Sequence, residues 1–426
     1  MVNKFILVYL TTQIIIFIHE LGHFFFAYIF KYTISEISLG FGRTIYSKSI
    51  NHLKFNIRLL PLGGFVCINE LGHMDRWGTA TIIYLGGVIF NILFALICMI
   101  FVFNIGITSS KPFVTDKDNH IKMITYINNN HVTNWMNINE LALLAFLNSS
   151  KLTLTFNDKS KSTFNTSHFE SFFENTWLNE HGYRIWEPTL PPKILFSNNE
   201  KLEEGDIVLK VNTRYVKNND DLKKIIQYNP NKPLIMKIIR DNKLINVEIM
   251  PKKSRSFDFI TLGYLDIKLS QQKWPTDHIT NTQFTFIKSL TQSIKFVFNK
   301  IYLQYLIILK LLTGVLTLDM LSGPIGIYSS IYQSFDYGIV GYLYTLSLLS
   351  IAVAMINLIP IPPTDGFYII VKTFESLTSL KISKRYLLLF QHITLIFIFL
   401  VVVNVSLNEI KKFLISWQKE VTKYEI

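Results

Sequence analysis

The stretch IIIFIHELGHFFFAYIF, residues 14–30, closes an apolar run that begins at residue 5. A run of this length matches the roughly 20 residues a helix needs to cross a bilayer. In hydrocarbon such a segment has to be helical, because its backbone groups must be satisfied internally. Yet this one carries three proton-exchanging groups, His19, Glu20 and His23. Three more apolar runs follow, at 80–105, 340–371 and 387–407. Charged residues make up 17% of the chain, against roughly 25% in soluble domains. The expected fold is therefore an α-helical multi-pass membrane protein with about four transmembrane helices. Lys4 before the first run suggests a signal peptide, but the run is too long and lacks a small-residue cleavage site. The net charge of +12 is scattered, without a basic motif, so the chain has the lipid bilayer and no nucleic acid as its partner. Two cysteines, Cys67 and Cys98, are too few for a disulfide framework.

Between the second and third runs the chain changes character. Residues 108–280 are rich in Asn, Lys, Ser and Thr and read as a soluble insert. The segment 283–316 mixes lysines into an apolar pattern and reads as a helix lying against the membrane face. The first loop holds Lys31, Arg43, Lys48, Lys54, Arg58 and Arg76, and the loop 371–386 holds Lys372, Lys381, Lys384 and Arg385. Positive-inside bias puts both loops in the cytoplasm, with the termini and the insert outside. Lys411, Lys412, Lys419 and Lys423 in the tail run against that bias. His73 in the first loop reads as solvated, and His392 as a satisfied bundle histidine.

His19 and His23 are four residues apart, which on a helix stacks two imidazoles on one face about 6 Å apart. With Glu20 beside them this is the H-E-x-x-H arrangement: two neutral histidines bind zinc and the glutamate serves as general base. Ionisable groups at membrane depth are usually functional. A catalytic zinc wants a third protein ligand and an open position. Asp365 offers one, in MINLIPIPPTDGFYII at 355–370. Pro360, Pro362 and Pro363 must break the helix there, and broken backbone within a membrane is tolerated where it lines a protein cavity. The histidines lie about 21–27 Å along the first run. The first and third runs point the same way, so both halves of the site reach the cytoplasmic side.

With both motifs in place, the chain resembles the site-two protease family of intramembrane zinc metalloproteases, in particular its regulator-of-sigma-E protease type. HELGH at 19–23 is similar to that family's first motif and NLIPIPPTDG at 357–366 to its second, N-x-x-P-x-P-x-x-D-G. LGFGRTIY at 39–46, RLLPLGGFVCINE at 58–70, LGGVIFNILFA at 85–95 and LSGPIGI at 321–327 resemble further family segments in family order. KLEEGDIVLKVNTRYVKNNDDLKKII at 201–226 looks like the second half of a PDZ domain, with 121–155 as a degenerate first copy. The stretch before Gly205-Asp206 is shortened to SNNEK, and Thr364 stands where the family usually has leucine.

The resemblance implies one Zn2+ per chain on His19, His23 and Asp365, with Glu20 as catalytic acid and base. It implies a substrate-binding set of Asn357, of Pro360 and Pro362, which shape their loop, and of Gly63 and Gly64 in a membrane-associated β-hairpin. The implied organisation is 1–107 first half of the core, 108–187 degenerate PDZ-like domain, 188–255 PDZ-like domain, 256–338 linker and surface helix, 339–426 second half of the core. The implied activity cuts transmembrane segments of single-span membrane proteins, such as an anti-sigma factor or signal peptide remnants, at a bacterial inner membrane. The implied PDZ-like region is periplasmic and the active site faces the cytoplasm. The alternative is a catalytically inactive membrane scaffold holding membrane partners, against which Glu20 stands, since a scaffold needs no base beside two ligands.

Overall fold

The computed structural model describes residues 2–50, 53–68, 77–148, 150–166, 177–255, 261–270 and 275–424; His73 and Arg76 of the first loop lie outside the described residues. The chain divides into two compact units: Met1–Thr108 with Leu143–Ser150 and Asn281–Glu409, and Ser109–Ala142 with Lys151–Thr280 and Ile410–Ile426.

Among the described residues, four helical segments are long and apolar enough to cross a membrane: Ile6–Ile29, Trp77–Ile105, Pro324–Asn357 and Lys384–Tyr424. The first belongs to helix α1, Val2–Ile29. A hairpin follows, β1 (Ile34–Ile50) and β2 (Leu53–Ile68), folded back on itself. Residues 53–58 pair with 44–50 on one side and with 36–39 on the other, and 36–39 then pairs with 64–68. The sharp bends this requires fall at Gly40, Gly42 and Gly63, all at positive φ, where a Cβ would be strained. Segment 64–68 ends as an outer strand, with 36–39 as its partner among the described residues. Arg58 ties the sheet together by donating to Ser38 Oγ (2.6 Å) and Glu36 Oε1 (2.9 Å).

Helix α2, Trp77–Ile105, crosses α1 at backbone contact. A Cβ on Gly22 would lie 2.1 Å from the Gly86 carbonyl oxygen, and one on Gly86 would lie 2.5 Å from that of Gly22. Small residues permit this approach, and close packing holds spans together where lipid removes the hydrophobic drive. Helix α3, Phe286–Leu312, sets Val297 in a cluster with Ala95 of α2 and with Ile351 and Met355, so its buried face rests on the spans. Helices α4 (Pro324–Ser334) and α5 (Gly338–Asn357) make the third apolar segment. Ser347 and Ser350 of α5 donate to the α2 carbonyls of Ala95 (3.2 Å) and Asn91 (2.9 Å).

The third apolar run does not continue as helix to residue 371: α5 ends at Asn357, the proline-containing loop intervenes, and α6 starts at Asp365 and runs to Thr378. Each proline lacks an N–H and clashes with the preceding turn, so the helix cannot pass through them. Thr364 caps α6, its Oγ1 accepting from Phe367 N at 3.4 Å. The last helix, α7, covers Lys384–Tyr424. Its Glu409 accepts from the amides of Gly323 (2.8 Å) and Gly326 (3.0 Å), satisfying donors at the α4 N-terminus that have no partner inside that helix. A Cβ on either glycine would meet the carboxylate at 2.7 Å or less, which accounts for both glycines of LSGPIGI.

Between residues 121 and 249 the chain uses one strand pattern twice. Ile121–Ile127 turns into Asn130–His131, the helix Trp135–Leu147 follows, then the hairpin Leu152–Phe156 and Lys161–Phe164. Likewise Ile207–Val211 turns into Arg214–Tyr215, the helix Asn219–Tyr228 follows, then the hairpin Leu234–Arg240 and Lys243–Ile249. In both, the first long strand pairs with its short neighbour and with the first strand of the later hairpin. Residues 167–176 and 256–260 lie outside the described residues. The later copy builds its core from Val208, Val211, Leu222, Ile225, Leu234, Met236 and Ile238, and the end of α7 adds Tyr424 to it. Tyr424 is held by Asn229 Nδ2 donating to its carbonyl (2.8 Å), by its own hydroxyl donating to Asp221 (2.9 Å), and by Arg214 over its ring at 4.1 Å.

Gly205, at φ +97, makes the turn that places Asp206 in this unit. The Asp206 side chain is fully buried and takes paired hydrogen bonds from Arg240 Nε and Nη2, both 2.8 Å, plus the Glu203 amide at 2.8 Å. Burial pushes this carboxyl up, but Arg240 and the Glu203 amide outweigh it and hold the group below the usual carboxylate range. A depressed folded value means the stabilisation is complete above the unfolded value of about 3.9 and is lost as pH falls from there through the folded value. Asp206→Asn is expected to cost the unit about 3 kcal/mol at neutral pH. Hydrogen exchange of strands 207–211 and 234–240 in the full-length protein should show it as faster exchange, with the gap to the parent closing in strong acid.

Candidate metal centre

His19 and His23 project from the same face of α1, and the first residue of α6 brings Asp365 to them. The two Nε2 atoms are 3.2 Å apart. Asp365 Oδ2 lies 3.1 Å from His19 Nε2 and 3.4 Å from His23 Nε2. Donors at about 2.0–2.1 Å from a tetrahedral zinc sit about 3.3 Å from one another, so this near-equilateral triangle has the edge length such an ion requires. His23 Nδ1 donates to the Ile83 carbonyl at 2.8 Å, which leaves its Nε2 as a bare lone pair facing the triangle. Asp365 Oδ2 is buried with no hydrogen-bond donor. Lone pairs converging in a buried site fit a divalent cation.

Three glycines make room for these groups. A Cβ on Gly87 of α2 would lie 2.4–2.7 Å from atoms of the His19 ring, so the imidazole rests where a side chain would be. A Cβ on Gly64 would meet Ser38 O at 2.7 Å and Glu20 Cγ at 3.0 Å, so the outer strand lies directly on the glutamate. A Cβ on Gly366 would meet the Leu358 carbonyl at 2.4 Å, which fixes the turn carrying Asp365.

The triangle opens into a cavity of about 620 Å³ walled by Ile16 and Glu20 of α1, by residues 63–68 of β2, by Ile83 and Tyr84 of α2, and by Val353, Asn357, Pro363 and Tyr368. Glu20 is 5% exposed, so its environment is almost wholly protein. Gly63, Gly64 and Asn357 line the cavity, as does Pro363, whereas Pro360 and Pro362 are not part of its wall. The Asn357 amide donates to Val353 O one turn back at 3.0 Å. His392 lies in the last helix with its Nδ1 donating to Leu388 O at 2.6 Å. Sequence reasoning passed over Gly87 and Asn91 within LGGVIFNILFA, and over Tyr84, which stacks on Tyr368 at 5.5 Å across the cavity. The signal for Asn91 was present: a carboxamide in the middle of a span of mean hydropathy 2.7.

Gly87→Ala should push the His19 ring out of the triangle. Purified variant protein is expected to lose about tenfold or more in zinc affinity, measured by chelator competition, with helix content by circular dichroism unchanged.

The sequence profile of peptidase family M50 matches residues 6–401. A Vibrio cholerae protein named "Putative zinc metalloprotease" is 24% identical, over 90% of this chain and 92% of its own length. The "Regulator of sigma E protease" of Haemophilus influenzae is 24% identical over 87% of this chain and 90% of its own. The "Regulator of sigma-E protease RseP" of Escherichia coli K12 is 23% identical over the same shares. The match runs through both halves of the membrane core and so includes α1 and α6, which bring the three donor groups together; the chain belongs to peptidase family M50 and is a zinc metalloprotease.

Proposed function

We propose that the protein is an intramembrane endopeptidase that cuts the transmembrane segment of single-span membrane proteins, with one zinc held by His19, His23 and Asp365. The observation that carries this reading is the donor triangle, with edges of 3.1–3.4 Å, set among membrane-spanning helices with Glu20 on the wall of the same cavity. Zinc, when bound, supplies Lewis acidity that polarises a scissile carbonyl and makes water nucleophilic near neutral pH. Glu20 takes a proton from the attacking water on its carboxylate and returns it to the leaving amine. Asn357 lies on the cavity wall where a substrate carbonyl or its developing oxyanion would come within reach of its amide.

A transmembrane substrate hides its carbonyls in helical hydrogen bonds and must be extended before it is cut. The strand 64–68 is suited to receive it: it is the outer strand of its sheet and also a wall of the cavity. Main-chain pairing along that edge would fix the direction of the unwound segment whatever its side chains. The repeated halves of the insert act as PDZ-like domains that admit substrates already trimmed outside and hold back bulky ectodomains. Positive charge in the first loop supports a cytoplasmic active site and an insert on the far side. Packing of Tyr424 into the insert supports placing the C-terminus on that same side, despite the lysines of the tail. The resemblance to the site-two protease family makes an anti-sigma factor one candidate substrate, and signal peptide remnants are a second class.

Glu20→Gln should lower cleavage of a membrane-anchored single-span substrate by about 10²–10⁴-fold while zinc content stays at the parent level. Cleavage equal to the parent's would overturn the assignment.

A further inference from the structure

Two histidines presented to one metal must each keep a proton on the far ring nitrogen, and that proton needs an acceptor. For His23 the acceptor is main chain, the Ile83 carbonyl at 2.8 Å. For His19 the neighbour is a side chain: Asn91 Nδ2 stands 3.2 Å from His19 Nδ1. Asn91 is fully buried and its Oδ1 has no hydrogen-bond partner. As drawn, the amide NH2 faces a nitrogen that must itself be an N–H donor if Nε2 is to hold the metal. The oxygen and nitrogen of a carboxamide are nearly the same shape, so their assignment follows from the hydrogen-bond network. Rotating the amide by half a turn presents Oδ1 to the ring and removes the donor–donor clash. The first orientation leaves Oδ1 without a hydrogen-bond partner, so nothing at the far end of the amide holds it there and the histidine decides.

We propose that Asn91 is the positioning residue of His19: its Oδ1 accepts the Nδ1 proton and so fixes the tautomer and ring plane that aim Nε2 at the zinc. This rests on the zinc reading of the donor triangle. The surroundings hold Asn91 to the task. Its own carbonyl is pinned by Ser350 Oγ at 2.9 Å, and Gly87, one turn earlier on α2, leaves the space in which the ring lies. The ring is thus gripped on its face by a missing side chain and at its edge by one amide. Outer partners of this kind orient the ring and raise its basicity as a ligand.

The test compares zinc affinity of full-length parent, Asn91→Leu and Asn91→Asp in detergent, by chelator competition, with the visible spectrum of the cobalt-substituted proteins as a second readout. Leucine keeps the volume and removes the acceptor; it is expected to weaken zinc binding about 10–100-fold and alter the cobalt bands. Aspartate keeps an acceptor oxygen and is expected to bind zinc at least as tightly as the parent, with the parent's cobalt bands. Unchanged affinity in the leucine variant overturns the proposal. So does weaker zinc binding in the aspartate variant, a result that decides the matter even if the leucine variant does not fold. Absence of stoichiometric zinc from the parent would instead overturn the zinc reading beneath it.

Discussion

The membrane core depends on the closeness of α1 and α2. At Gly22 and Gly86 the two backbones touch, with no room for a methyl group on either. Lipid offers no hydrophobic drive to bring spans together, so contact at this range, with the dispersion it recovers, must do the work. The rest follows from it. Gly87 can seat the His19 ring only because the helices are already this near, and the Ile83 carbonyl reaches His23 for the same reason. Ser347 and Ser350 then lock α5 to α2 through main-chain carbonyls, and α5 leads into the turn that carries Asp365.

The chemistry was more legible in the sequence than the architecture around it. His19, Glu20, His23 and Asp365 could be read as a set because metal binding prescribes residue types, and a helix converts a spacing of four into a shared face. The soluble insert showed in its composition. What stayed hidden depended on which residues meet across the fold. The bends at Gly40, Gly42 and Gly63 turn a two-strand hairpin into a four-part sheet, and nothing local to those glycines says which strand they fold against. The break in the third apolar run, by contrast, could be read from Pro360, Pro362 and Pro363, and the helix does end at Asn357. Nothing local to Glu409 says that it satisfies amides of a helix more than eighty residues earlier.

The site divides its tasks among elements of different character. Helix α1 holds His19, Glu20 and His23 on rigid backbone, while Asp365 comes from a helix start held by a threonine cap and a glycine pressed on the preceding loop. A helical start is a sound place for a carboxylate, since the first-turn amides favour negative charge. The wall facing these groups is the outer strand of its sheet among the described residues, and main-chain pairing along such an edge does not discriminate between side chains. Selectivity then falls to the few cavity side chains that project beyond the backbone, among them the stacked pair Tyr84 and Tyr368.

Tyr424 completes the core of the second unit from about two hundred residues further along the chain than Leu222 and Ile225, which it joins there. The insert leaves the ribosome long before that residue is made, so during synthesis it waits with one wall of its interior open. Its final closure is therefore postponed until the last helix has been made. A chain cut short before Tyr424 would still hold His19, His23 and Asp365 together, yet its insert would be left with an unfilled core.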